Sequence, residues 1–120
     1  MHELSLCESI LATALREYGR LDPPPVRLER VRVVAGAMHQ IVPEYLHNAW
    51  RALRTGTAAE SASLELRKLG VTARCPACSW EGPVEPPVFA CGRCETYGVD
   101  VLTGREFYIE SMEVEDDEHT

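Results

Sequence analysis

Lysine is nearly missing from this chain of 120 residues: Lys68 is the only one, and the other eleven basic residues are arginines dispersed along the sequence. Nineteen Asp and Glu outweigh them, for a net charge of −7. Binding to a phosphate backbone needs clustered cations that displace condensed counterions, so nucleic acid is excluded as an expected partner. No run of 18 uncharged apolar residues occurs, which removes any helical membrane span. No secretory leader is expected, because the chain opens Met1-His2-Glu3 and reaches Arg16, Glu17 and Arg20 within its first helical pattern. The expected compartment is the cytoplasm. No Ser/His/Asp constellation is apparent, so nothing points to an enzyme. At this length the chain holds one compact domain with at most a small appended module.

What the chain does have is cysteine, five of them. In a reducing compartment thiols stay free, so metal or redox chemistry comes before disulfides. Cys75-Pro76-Ala77-Cys78 and Cys91-Gly92-Arg93-Cys94 form two CxxC pairs separated by twelve residues. Each pair can fold into a knuckle whose sulfurs point at a common centre, giving a closed tetrahedral site of four sulfurs suited to structural Zn2+. Iron in a rubredoxin-like site has the same spacing, and an absorbance spectrum separates the two. The segment from Val71 to Gly98 is below the roughly 40 residues at which a domain folds unaided, so metal binding is expected to supply its stability. Cys7 stands apart on an apolar helical stripe and reads as a packed core thiol.

Leu4, Cys7, Leu11, Ala14, Leu15 and Tyr18 recur at helical spacing, with Gly19 placed to stop the run. After Pro23-Pro24-Pro25, the valines of Val26 to Ala35 predict a strand ending at Gly36. Pro43 and Glu44 open a second helix with Leu46, Ala49, Trp50 and Leu53 on one face and a stop at Gly56. Ser63 to Leu69 alternates as a second strand, and Phe107 to Val114 reads as a third after the Thr103-Gly104 turn. The expected fold is α+β: two helices on a three-stranded sheet, interrupted by a zinc-ribbon-like module of four cysteines. The expected division is residues 1–70 with 99–115 as one discontinuous domain, 71–98 as the cysteine module, and 116–120 as a disordered acidic tail.

The start of the chain offers a second metal site. An imidazole at His2 lies within chelate distance of the terminal amine of Met1 and of its own backbone amide. Such small, nearly planar, nitrogen-rich rings suit Ni2+ or Cu2+ better than Zn2+. Protons compete for all three nitrogens, so affinity should fall with pH. His39, in the turn before the second helix, is a candidate for a distant fourth ligand, whereas His47 lies off the apolar stripe and reads as a surface residue.

The opening MHELSLCESI, the stretch from Val34-Ala35-Gly36 through Pro43-Glu44-Tyr45-Leu46, the paired CPAC and CGRC, and the closing REFYIESMEVE together resemble the HypA/HybF family of hydrogenase maturation proteins. The resemblance runs from Met1 to about Glu115. It implies a nickel metallochaperone, not an enzyme, that delivers Ni2+ to the [NiFe]-hydrogenase large subunit. The implied partner is the GTPase of the same pathway, and a homodimer is admitted. On the family pattern nickel is bound at Met1, His2 and Glu3, and structural zinc at Cys75, Cys78, Cys91 and Cys94. The alternative reading is a zinc-ribbon protein–protein interaction module without a second metal.

Overall fold

The computed structural model describes His2 to Glu115; Met1 and the acidic segment 116–120 lie outside the described residues, and with them the expectations placed there. The chain divides into two units. The first comprises the described parts of 1–33, Ile41–Arg67 and 108–120; the second comprises Val34–Gln40 and Lys68–Phe107.

In the first unit, helix α1 runs from His2 to Tyr18 and buries Cys7, Ile10, Leu11 and Ala14, an i, i+3, i+4, i+7 stripe. The Gly19 N–H closes the last turn on the Leu15 carbonyl at 2.9 Å. The expected stripe is rotated: Leu4 is 38 % exposed, and Glu3 and Ile10 face inward. The cause is a polar partner, because the Glu3 carboxylate accepts a hydrogen bond from the Val42 N–H at 3.0 Å. Strand β1 spans Arg27–Gly36, its end and the 3-10 turn Ala37–His39 that follows belonging to the second unit, and helix α2 of the first unit spans Pro43–Leu53 with its proline at the first helical position. Leu46 and Trp50 are the buried residues of α2, which packs on α1. The Trp50 indole N–H donates to the Ala62 carbonyl at 2.8 Å, so the loop between α2 and β2 (Ser63–Leu69) is tied to the helix. The last strand, here called β6, covers Phe107–Glu115, and the sheet order is β2-β1-β6. The three strands expected from the sequence therefore make one sheet, with the longest in the middle. Its polar face carries an ion-pair ladder in which Arg32 reaches Glu65 at 3.0 Å and Glu113 at 2.8 Å, Arg30 reaches the same two acids, and Arg67 pairs with Glu110 at 2.8 Å. Exposed pairs of this kind contribute little each.

The second unit has a sheet of its own that periodicity did not reveal. Strands β3 (Val71–Arg74), β4 (Glu81–Val84) and β5 (Asp100–Thr103) are ordered β4-β3-β5, both pairings antiparallel, with Val71 opposite Val84 and Arg74 opposite Glu81. Val71, Ala73, Cys75, Val84, Cys91 and Val99 form a small core, with Ala37, Met38, Trp80, Phe89 and Val101 against it. Gly36 and Gly104 come together here: the Gly36 N–H donates to the Glu106 carbonyl at 2.7 Å, and a Cβ at Gly36 would lie 2.0 Å from the Gly104 oxygen.

Candidate metal centre

Strand β3 delivers Cys75 and Cys78 on one knuckle, and the return toward β5 delivers Cys91 and Cys94 on another. The two are built alike. The Cys75 N–H donates to the Trp80 carbonyl at 2.8 Å and the Ser79 N–H to the Cys75 carbonyl at 2.9 Å; the Cys91 N–H donates to the Thr96 carbonyl at 2.9 Å and the Glu95 N–H to the Cys91 carbonyl at 3.1 Å. In both turns the residue four beyond the first cysteine is left-handed, Ser79 at φ 66° and Glu95 at φ 63°. This local repeat aims all four sulfurs at one point: they lie within 4.8 Å of one another, with Cys75 to Cys94 and Cys78 to Cys91 each at 3.6 Å. A tetrahedral ion with Zn–S bonds of about 2.3 Å requires sulfur–sulfur edges of about 3.8 Å, so the cage has the dimensions for it. The thiols are free, as a ligand set requires and a disulfide pair would not allow.

The electrostatics also ask for a cation. The Thr96 hydroxyl and backbone N–H hold the Cys94 thiol down at about 6, and the Trp80 N–H, with Arg93, lowers Cys78. Cys75 differs: the Cys78 N–H favours its thiolate, yet burial and the neighbouring sulfurs outweigh this and push it up to about 11. Four thiolates at this spacing repel, and only an ion at their centre makes all of them favourable. Sequence reasoning missed the residues that support the cage. Trp80 lies against Gly82 and Gly92, where added Cβ atoms would come within 2.5 and 2.6 Å of its ring. Arg93 donates from its guanidinium to the Cys78 carbonyl and from its backbone N–H to Cys91 Sγ, the latter at 3.2 Å. The glycine between Cys91 and Arg93 was the one available clue.

Among the nitrogen and carboxylate candidates at the other end, His2 is the first residue of α1, with its side chain half exposed and Nδ1 3.6 Å from Glu3 Oε1. Glu3 is buried at 6 % exposure, and the Val42 N–H holds its carboxyl below the usual range. His39 sits in the second unit, its Nε2 3.0 Å from the Arg105 carbonyl and its ring tilted over Phe107. His47 is half-buried and bridges two backbone oxygens, Pro43 at 2.7 Å and Leu64 at 2.8 Å, which is more than a surface histidine does. Cys7 is fully buried and its thiol donates weakly to the Leu46 carbonyl at 3.9 Å; burial pushes it up to about 11, as a packed core thiol requires. No helix among the described residues is long and apolar enough to cross a membrane.

Among the described residues, two α-helices, two three-stranded sheets and a four-sulfur cage define a small α+β metal-binding protein. The family model described as hydrogenase/urease nickel incorporation, metallochaperone, HypA matches residues 1–114, and the chain belongs to that family. It is 35 % identical to the hydrogenase maturation factor HypA of Chlorobium limicola over 97 % of this chain and 98 % of that one. It is 34 % identical to the HypA of Desulfitobacterium hafniense over 97 % of this chain and all of the other. The fold is shared with the nickel metallochaperone HypA of Helicobacter pylori at a TM-score of 0.65 and 20 % identity, covering 96 % of this chain and 98 % of that one. These are metallochaperones and not enzymes.

Proposed function

We propose that the chain takes up Ni2+ through its first residues and surrenders it during maturation of a [NiFe]-hydrogenase, while Zn2+ stays in the sulfur cage of residues 71–98. The observation that carries this reading is the position of His2 at the very start of α1, with its imidazole half exposed. The first N–H groups of a helix have no intrahelical acceptor, so an amide there can lose its proton to a metal without breaking a helical hydrogen bond. The helix dipole favours the negative charge that results. A chelate ring through the His2 amide closes on Nδ1, the nitrogen that faces Glu3. The Met1 amine completes the nitrogen set, and Glu3 offers its second carboxylate oxygen. An exposed site on a helix end can give up its ion, whereas the cage, closed by four thiolates, has no open position through which to exchange. The recipient is the hydrogenase large subunit, reached in company with the GTPase of the pathway, with the protein acting as a monomer or a homodimer in the cytoplasm.

The test is nickel titration calorimetry on zinc-loaded protein free of residues ahead of Met1, with His2→Ala alongside. The variant should lose stoichiometric nickel binding, at least a hundredfold in affinity, with unchanged zinc content and helicity. Wild-type nickel affinity in the variant would leave the interaction-module reading in its place.

A further inference from the structure

The four sulfurs of the cage are not equivalent. Cys75 and Cys91 are 0 % and 2 % exposed. Each is further quieted by backbone N–H groups: those of Ala77 and Cys78 face Cys75, and those of Arg93 and Cys94 reach Cys91 Sγ at 3.2 Å each. Cys78 is half-buried, with the Trp80 N–H on its sulfur and the Arg93 side chain bound to its carbonyl. Cys94 also has a backbone N–H on its sulfur, that of Thr96, but it alone of the four is exposed, and outside the cage its sulfur meets the Thr96 hydroxyl at 3.1 Å. Buried Cys75 lies 3.6 Å from it, sulfur to sulfur.

We infer that Cys94 is a modification site, the point at which peroxides and soft electrophiles enter the cage, and that Cys75 is its resolving thiol. The chemistry balances with a peroxide as oxidant. The Cys94 thiolate attacks one peroxide oxygen; the S–O bond forms, the O–O bond breaks and hydroxide leaves, so that sulfur is oxidised to a sulfenic acid and peroxide is reduced. Cys75, which metal ligation would hold as the thiolate, then attacks the Cys94 sulfur, forming the disulfide and expelling a second hydroxide. Two of four donors are lost and the cage lets its ion go. The Thr96 hydroxyl draws electron density from the Cys94 sulfur and slows the first step. The loss of zinc rests on the zinc reading of the cage; the order in which the sulfurs react does not.

The test uses the full-length wild-type protein with its metal content measured first. It is treated with substoichiometric N-ethylmaleimide, and separately with hydrogen peroxide beside a chromogenic zinc chelator, followed by peptide mapping. The first maleimide adduct is expected on Cys94, the first disulfide between Cys75 and Cys94, and one zinc released per disulfide. Labelling of Cys78 as early as Cys94, or a first disulfide joining Cys78 to Cys91, would overturn the proposal. Thr96→Val, which leaves every sulfur in place, should alkylate several-fold faster at Cys94 at equal zinc content; an unchanged rate would remove the hydroxyl from the account. If the metal found is not zinc, the labelling order still decides whether Cys94 is the entry point, so the two failures are told apart.

Discussion

Glu3 shows how a charged side chain can belong to the core. Its carboxylate is nearly buried yet held in its charged form by the Val42 N–H, the residue that caps the start of α2. A folded-state value lowered from 4.5 means that the carboxylate stabilises the fold above that pH, and that the contribution drains away as pH falls through the lowered value. Glu3→Gln keeps an acceptor but not the charge, so it should cost about 1 kcal/mol near neutrality, the difference between a charge-assisted and a neutral hydrogen bond. In urea titrations from pH 7 downward, the gap between wild type and variant should stay constant to about pH 5 and close below it. A gap independent of pH would mean that the carboxylate acts by shape alone. This role was not legible in the sequence, where Glu3 reads only as part of an opening motif. Helical spacing favours Leu4 as the inward residue, and nothing local announces that an amide 39 positions away would turn the helix to accept an acid instead. The sulfur ligands were legible because their spacing is itself the geometry of the site.

At the scale of elements, the long segments declared themselves and the short ones did not. α1, α2, β1, β2 and β6 each carry a periodic apolar pattern over seven residues or more. Strands β3, β4 and β5 have four residues each, too few for alternation to be distinguished, and β4 contains Pro83. Their order comes from the knuckles they connect and from a backbone approach that only glycine permits. At Gly36 a methyl group would meet the Gly104 oxygen at 2.0 Å, and Gly104 itself, at φ +124°, sits where L residues are strained. Neither partner is a flexible side chain that could move aside. Gly36→Ala should therefore cost about 3 kcal/mol or more in thermal unfolding of the metal-loaded protein. Gly70→Ala, with nothing within 4 Å of its added carbon, should be neutral or slightly stabilising. Equal effects of the two substitutions would show that the close approach does not constrain the fold.

Over the whole molecule, stability has two sources of different kind. The first unit holds both helices and a core built on Leu28, Val31, Leu46 and Trp50, each at most 1 % exposed, and none of the four cage cysteines lies in it. The second unit has eight buried apolar residues, Val34 and Ala35 beside the six of its core cluster, and two of these are the cysteines Cys75 and Cys91, which is little apolar surface to offset the entropy of ordering nearly fifty residues. Its fold must draw on the cage, where binding and folding are one equilibrium. The two tryptophans fall one to each unit, Trp50 in the first and Trp80 in the second, so each can be followed alone. In a Trp50→Phe background, removing the metal with a strong chelator under reducing conditions should shift Trp80 emission to the red and expose Cys75 and Cys91 to alkylation. Far-ultraviolet dichroism should keep its helical signal, since α1 and α2 both lie in the first unit. Thermal unfolding of the chelated protein should then retain only the transition of the helical unit. Simultaneous loss of helicity and of the Trp80 environment on chelation would mean that the cage supports the whole chain, and that an ion is needed to keep even the helical unit folded.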